Sequence, residues 1–185
     1  SGGVLPAGVV AADFGDLDTL ADAAPQVTEA NRATIRGAIT SLLDGGAVPF
    51  VFGGDDSVPI PVLESYCGFA GGPISILQID AHIDWRDEVD GETQGLSSNM
   101  RRASEMEHVG KIVQLGARGI GSARKADVEA ALAYGVGFHT MRRLIEPGGI
   151  ERAVADLPEG VPVYIALDVD SMDPVVMPAV IGAAQ

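Results

Sequence analysis

Short apolar runs alternate with longer amphipathic stretches along this chain. Runs rich in β-branched residues predict strands at 9–12, 48–52, 74–79, 111–115, 136–140 and 163–167. Apolar positions at helical spacing predict helices at 26–43, 98–107, 123–134 and 149–157, with a short helix beginning near Pro59 or Pro61. Because the two kinds of element alternate through short glycine-containing joints, we predict a three-layer α/β/α fold with a mostly parallel sheet. No repeat or linker divides the sequence, so we expect a single domain over residues 1–185.

Two of the predicted strands end in acidic side chains. After 74–79 come Asp80, His82 and Asp84, and after 163–167 come Asp168 and Asp170. Side chains two residues apart in an extended strand share a face, and the carboxyl ends of parallel strands are where open α/β sheets place their active sites. Either motif alone would also suit a polar loop after a core strand. Because clustered carboxylates repel unless they are paired or coordinated, the recurrence of the motif favours a metal site.

The chain is acidic, with 26 acidic against 12 basic residues and a net charge of -14. This excess argues against nucleic acid and anionic membranes as partners, although the acidic motifs themselves supply part of it. The single cysteine, Cys67, excludes an internal disulfide, fits a reducing compartment and is predicted to be buried. The sequence shows neither a signal peptide nor an apolar run of spanning length, so we expect a cytoplasmic protein.

Two further polar segments are candidates for a functional site. The FGGDDS segment places Asp55 and Asp56 just past a predicted strand, where its glycines permit a tight turn. The polar loop that starts at Gly91 leads into a helix, which we expect Ser97 or Ser98 to cap. Taken alone, each segment is equally compatible with an ordinary surface turn or helix start.

Three motifs follow one another in a definite order, each after an apolar strand: GGDDS at 53–57, DAHIDWRDE at 80–88 and DVDSMDP at 168–174. In this order they resemble the ureohydrolases, the family of arginase, agmatinase, guanidinobutyrase and proclavaminate amidinohydrolase. The resemblance extends from Asp13 to the PAVIG segment at 178–182, and SSNMRRASEM at 97–106 is most similar to the agmatinase and guanidinobutyrase branch. It implies an arginase-like fold, two Mn²⁺ ions per chain, and hydrolysis of a guanidino substrate to urea and an amine.

The resemblance also implies a role for each motif residue. The implied ligands are Asp80 and Asp168 as bridges, Asp56 and Asp84 on one ion, and His82 and Asp170 on the other. This oxygen-rich set, with one imidazole and no thiolate, suits Mn²⁺. A water between two such ions loses a proton near neutral pH and becomes the nucleophile, which Asp84 would also orient as a catalytic residue.

The chain departs from the family pattern at three points. Asp56 stands where the family commonly has histidine, and its negative charge is expected to raise the pKa of the bridging water. Gln94 precedes Gly95 where the family commonly has a catalytic histidine, and glutamine cannot shuttle protons. Family members also begin earlier and continue past residue 182, so we expect the chain to lack N- and C-terminal portions and to expose a sheet edge.

Three functions stay open on the sequence alone. The first is hydrolysis of agmatine, guanidinobutyrate or another small guanidino compound by a homo-oligomer, a trimer or hexamer as is usual in the family. The second is a catalytically impaired homologue with a structural or regulatory role, which Gln94 favours and the retained ligands oppose. The third is Mg²⁺-dependent phosphoryl transfer, for which no phosphate-binding glycine loop is evident. Trp85, inside the second motif, suits either a pocket wall or the core.

Overall fold

The computed structural model describes residues 8–21, 24–119, 123–178 and 180. Its elements in chain order are α1 (Pro25–Asp44), α2 (Pro59–Glu64), β1 (Ile74–Ile79), α3 (Asn99–Ala103), β2 (Val109–Leu115), α4 (Lys125–Tyr134), β3 (Gly137–His139), α5 (Met141–Leu144), α6 (Gly149–Ala155), β4 (Val163–Leu167) and a 3₁₀ turn (Val169–Ser171). Most of the PAVIG segment lies outside the described residues. None of the helices in these ranges is long and apolar enough to cross a membrane.

The four strands form one sheet in the order β3-β2-β1-β4. All of its pairings are parallel, and β1 lies in the middle between β2 and β4. In this register Gln78 lies opposite Gln114, and Ile79 lies beside both Leu115 and Leu167. The predicted parallel sheet is therefore confirmed, and its register places the carboxyl ends of β1 and β4 next to each other.

Apolar side chains cover both faces of the sheet. On one face Ile76 and Ile112 are fully buried in a cluster that includes Met100 of α3. On the other face Val113 packs in a second cluster with Ala153 of α6. Because neighbouring positions of a strand point to opposite faces, these two clusters place helices on the two sides of the sheet, as the predicted three-layer arrangement requires.

Two of the predicted strands are absent. Segments 9–12 and 48–52 have no regular secondary structure and no β partner among the residues that the structure describes. Val48 and Phe52 are accordingly 93% and 90% exposed. Apolar composition favours a strand, but a strand also needs a neighbour that satisfies its backbone hydrogen bonds, and no described strand lies beside these segments.

Smaller differences concern helix ends and the cysteine. Helix α3 ends at Ala103 instead of residue 107. Ser98 is its N-cap residue, as predicted, but the Ser98 side chain makes no capping hydrogen bond. The short helix α5 was not predicted. Cys67 is exposed, because it lies in a turn after α2 and not in the core.

One face of β4 is apolar and partly exposed in the part of the chain that the structure describes. Val163, Ile165 and Leu167 on this face are 40%, 62% and 57% exposed, and β4 is also an edge strand. We expect Ile165→Lys to lower self-association of the chain, because a charge on an edge strand opposes pairing with another sheet. Light scattering at increasing protein concentration measures this. Leu132→Lys on α4, where the leucine is 58% exposed, is the control and should leave self-association unchanged. Equal self-association of the two variants would contradict the prediction.

Candidate metal centre

Acidic side chains from three segments converge at the carboxyl end of the sheet. Asp80 follows β1 and Asp168 follows β4, and they are neighbours because Ile79 pairs with Leu167. The Asp168 N–H donates to the Ile79 carbonyl at 3.0 Å, which extends the pairing of the two strands by one residue. Asp56 approaches them from the loop before α2.

Two groups of potential metal ligands share Asp80. The first group is Asp80, His82 and Asp170, and the second is Asp56, Asp80 and Asp168. Within each group, one ligand atom of every residue lies within 4.8 Å of the others. One cation can contact all members of a group at this spacing, and a shared carboxylate is typical of sites for two neighbouring cations. The arrangement can therefore hold metal. Asp168, predicted to bridge both ions, belongs to the second group alone, and Asp84 belongs to neither group, so the predicted division of ligands stays a prediction.

Asp84 joins the cluster through a shared hydrogen-bond donor. Gln78 Nε2 donates to Asp80 Oδ2 and to Asp84 Oδ2, in both cases at 2.7 Å. Asp84 is 7% exposed, and its φ of 50° lies in the left-handed region, which is uncommon outside glycine. Because β1 ends at Ile79, a turn brings Asp84 back to Asp80, and the prediction that both share one face of an extended strand is wrong.

His82 links the ends of β1 and β4. Its Nδ1 lies 2.8 Å from Asp170 Oδ2 and 3.5 Å from Asp80 Oδ1. The backbone N–H of His82 donates to Asp80 Oδ1 at 2.6 Å, and that of Ala81 donates to Asp170 Oδ1 at 3.2 Å. Backbone and side-chain bonds thus hold the members of the first group in place.

Asn99 is a residue of the site that the sequence analysis missed. Its Nδ2 donates to the Asp56 carbonyl at 2.8 Å and also to Asp56 Oδ2. Asn99 is 1% exposed and is the first residue of α3. An asparagine at a helix start was the available signal, but nothing in the sequence shows that its partner lies in the GGDDS loop.

Burial and mutual repulsion shift the pKa values of the cluster. Burial, followed by the charge of Asp80, raises the pKa of Asp56 to about 8 and that of Asp170 to about 6. The same causes raise the pKa of Asp84 well above its ordinary value. Burial alone would raise the pKa of Asp80, but hydrogen bonds with His82 and Asp84 outweigh it and lower that pKa. The cluster therefore cannot be fully ionised at neutral pH unless a cation compensates its charge.

The free energy of unfolding of the metal-free chain is expected to fall as the pH rises from about 6 to about 8. Asp170 and Asp56 titrate in this window when folded but near pH ~3.9 when unfolded, so here the folded chain binds more protons and loses stability as they leave. Urea unfolding in the presence of a chelator, at pH values on both sides of the window, measures the effect. A divalent cation should flatten the dependence, whereas a metal-free chain that gains stability over this window would contradict the prediction.

Comparison with known proteins identifies the family. The sequence matches the Arginase family model over residues 3–184. The chain belongs to the arginase family. The mitochondrial arginase of Medicago truncatula is 36% identical over 133 residues, which cover 71% of this chain and 38% of that protein. The mitochondrial guanidino acid hydrolase of Homo sapiens is 26% identical over 192 residues, which cover 96% of this chain and 50% of that protein.

Solved structures of arginase-family relatives share the fold. Formimidoylglutamase from Bacillus subtilis superposes with a TM-score of 0.78 at 25% identity, covering 92% of this chain and 54% of that chain. The arginase from Medicago truncatula superposes with a TM-score of 0.68 at 31% identity, covering 80% and 46%. The arginase-like fold is therefore confirmed. The chain spans about half the length of these relatives, or less.

In this arginase-family chain hydrogen bonds join the backbone of Gln94 to Glu92 and Arg32. Its N–H donates to Glu92 Oε1 at 2.6 Å, and its carbonyl accepts from Arg32 Nη2 at 3.2 Å. Its side-chain Oε1 is buried and has no hydrogen-bond partner in the part of the chain that the structure describes. The catalytic position predicted for Gln94 thus stays a prediction. Trp85, in contrast, is settled as a core residue with 2% exposure.

Gly116 lets the end of β2 pack closely against Asp80. Its φ is +99°, and a Cβ at this position would lie 2.9 Å from the Asp80 carbonyl oxygen. We expect Gly116→Ala to lower the free energy of unfolding by about 1–3 kcal/mol, measured by urea unfolding. Gly110→Ala is the control, because a Cβ there would make an ordinary 3.6 Å contact with the Ile74 carbonyl oxygen. Equal losses in the two variants would contradict the packing argument.

Proposed function

We propose that this chain carries the metal centre of a Mn²⁺-dependent hydrolase that converts a small guanidino compound to urea and an amine. Agmatine and guanidinobutyrate are the substrate types that we favour. The observation that carries the proposal is the pair of ligand groups that share Asp80. Relatives named as an arginase and a guanidino acid hydrolase support a guanidino substrate.

The chemistry of the donor set supports Mn²⁺. The cluster offers carboxylate oxygens and one imidazole, that of His82, and no thiolate belongs to either ligand group. Hard, oxygen-rich sites suit Mn²⁺ better than zinc or copper. The raised pKa values of Asp56 and Asp84 indicate carboxylates whose ionised forms need a compensating charge, and divalent cations supply it.

Each ligand has a place in the proposed centre. Asp56 and Asp84 would help to hold one ion, His82 and Asp170 would help to hold the other, and Asp80 and Asp168 would contribute to both. When bound, two Mn²⁺ ions supply Lewis-acid activation of water and stabilise developing negative charge.

Asp84 is the proposed proton acceptor. It is 7% exposed, and its Oδ2 is held by the 2.7 Å hydrogen bond from Gln78. In this proposal its carboxylate takes up the proton that the attacking water releases. The leaving amine needs a proton, and in this proposal Asp84 returns the one that it accepted.

Charge supports a cationic substrate. A guanidinium is a planar cation whose N–H groups bond carboxylate oxygens, and the net charge of -14 favours its approach. The unpartnered Oε1 of Gln94 is a further acceptor that we propose for a substrate N–H. A trimeric or hexameric assembly and a cytoplasmic location remain predictions.

A catalytically impaired homologue is the second candidate. Glutamine at position 94 cannot transfer protons, and the Gln94 side chain makes no hydrogen bond to the described carboxylates. Such a protein would bind the same ions and release no urea.

Elemental analysis and a urea assay separate these candidates. Protein purified without chelator is analysed for metal, loaded with Mn²⁺ and assayed with agmatine, guanidinobutyrate and arginine. Two ions per chain together with urea from agmatine or guanidinobutyrate are the expected result. Two ions without urea would support the impaired homologue, and absence of bound metal would overturn the metal centre itself.

A further inference from the structure

A chain of buried hydrogen bonds runs from Trp85 to the carboxylates. Trp85 Nε1 donates to Gln114 Oε1 at 3.0 Å. Gln114 Nε2 donates to Gln78 Oε1 and, at 2.8 Å, to the Ile83 carbonyl. Gln78 Nε2 then donates to Asp80 and Asp84 (Oδ2 in both) at 2.7 Å. We call Trp85, Gln114 and Gln78 the amide relay.

The amide relay lies inside the apolar core. Gln78 and Gln114 are register partners in β1 and β2, each 1% exposed, and Trp85 is 2% exposed. Burying an amide without partners costs roughly 1–3 kcal/mol in protein mutational data. Here every side-chain nitrogen and oxygen of the relay has a partner. The hydrogen-bonding groups of the two buried glutamines therefore have partners only because Gln78, Gln114 and Trp85 bond to one another and to their neighbours.

Two partners of Gln114, the Trp85 indole and the Ile83 carbonyl, determine the direction of the hydrogen bonds in the relay. An indole nitrogen can only donate, and the Ile83 carbonyl can only accept. Gln114 must therefore turn its oxygen to Trp85 and its nitrogen to Ile83, which also aims the nitrogen at Gln78. Gln78 consequently presents its oxygen to Gln114 and both of its N–H groups to the carboxylates.

We propose that the amide relay positions Asp80 and Asp84 for metal binding. It supplies two N–H donors without adding charge, so it orients both carboxylates while leaving their negative charge available to a cation. A cationic side chain in place of Gln78 would compete with the metal, and an acidic one would repel the carboxylates. The inference rests on the proposed metal centre, and Gln78, Gln114 and Trp85 act in it as positioning residues.

Three substitutions separate positioning from packing. Gln78→Met keeps the size of the side chain and removes both donors, and we expect Mn²⁺ affinity to fall roughly 10–100-fold, as for other residues that orient metal ligands. Trp85→Phe keeps an aromatic ring and removes the indole donor, and we expect a smaller loss in the same direction. Gln78→Leu, which is also uncharged and lacks the donors, is a second variant should Gln78→Met fail to fold.

Tyr134→Phe is the matched control. The Tyr134 ring lies 5.8 Å from that of Trp85, and its hydroxyl donates to the Gly110 carbonyl at 2.6 Å. The hydroxyl also lies 3.2 Å from the Val109 carbonyl oxygen. This substitution therefore removes both contacts of the hydroxyl and leaves every hydrogen bond of the amide relay in place. It should lower stability and leave Mn²⁺ affinity unchanged.

Calorimetric titration with Mn²⁺ and thermal unfolding of the metal-free proteins give the two readouts. We also expect the double variant of Trp85→Phe and Gln78→Met to bind no more weakly than Gln78→Met alone, because without Gln78 the indole has nothing to orient. Unchanged Mn²⁺ affinity in both single variants, with wild-type protein binding Mn²⁺, would overturn the relay and leave the proposed function intact. A wild-type chain that binds no Mn²⁺ would overturn both.

Discussion

Asp80→Asn is expected to remove both metal sites at once. Asp80 is the residue that both ligand groups share, so its loss takes a ligand from each cation. The amide keeps the size of the side chain, and the substitution therefore tests ligation more than packing. Because metal assistance is worth several kcal/mol, urea formation should fall by about 10³-fold or more. Elemental analysis and the urea assay on the same preparation measure the two losses.

Two controls make the Asp80 result specific. Asp170→Asn changes only the group that contains His82, so we expect the loss of one ion and not of both. Asp55→Asn changes an exposed neighbour of Asp56 that accepts a hydrogen bond from the Ser57 N–H at 2.8 Å, and it should leave metal content unchanged. Retention of two ions by Asp80→Asn would show that Asp80 is not the shared ligand.

The strand ends could be predicted because their signals are local. The apolar runs 74–79 and 163–167 each stop at an aspartate, and parallel pairing of β1 with β4 then brings Asp80 and Asp168 together. The predicted strand at 48–52 failed for the opposite reason. Its apolar composition is local, but a strand exists only beside a partner, and partner choice depends on distant parts of the chain.

The amide relay illustrates what sequence alone leaves undetermined. A glutamine interrupts each of two apolar strands, at Gln78 and Gln114, and this interruption is visible in the sequence. That the two glutamines face one another follows only from the register of β1 and β2. Their function depends on a third residue, Trp85, whose indole sets the direction of the hydrogen bonds. The same limit applies to Asn99, whose partner Asp56 lies in a separate loop.

Gln94→His is expected to raise urea formation without changing metal content. General acid–base catalysis by a positioned side chain contributes typically 10²–10⁴-fold, and histidine, unlike glutamine, exchanges protons near neutral pH. If proton transfer limits turnover, kcat should therefore rise by about 10²-fold or more. The metal content should stay the same, because Gln94 makes no hydrogen bond to the described ligands. The urea assay and elemental analysis measure the two quantities.

The pH profile distinguishes a proton shuttle from a general effect on the loop. In Gln94→His, kcat should gain a dependence on pH near the pKa of histidine, about 6.5, that the wild type lacks. Gln94→Asn is the control, since it alters the loop without adding a group that titrates, and it should give no gain. The hydrogen bond from Arg32 to the Gln94 carbonyl involves the backbone, so all three proteins retain this contact. Equal kcat in Gln94→His and wild type, with both proteins saturated with Mn²⁺, would contradict this prediction. It would show that the missing histidine does not limit turnover and that Asp84 or solvent supplies the proton.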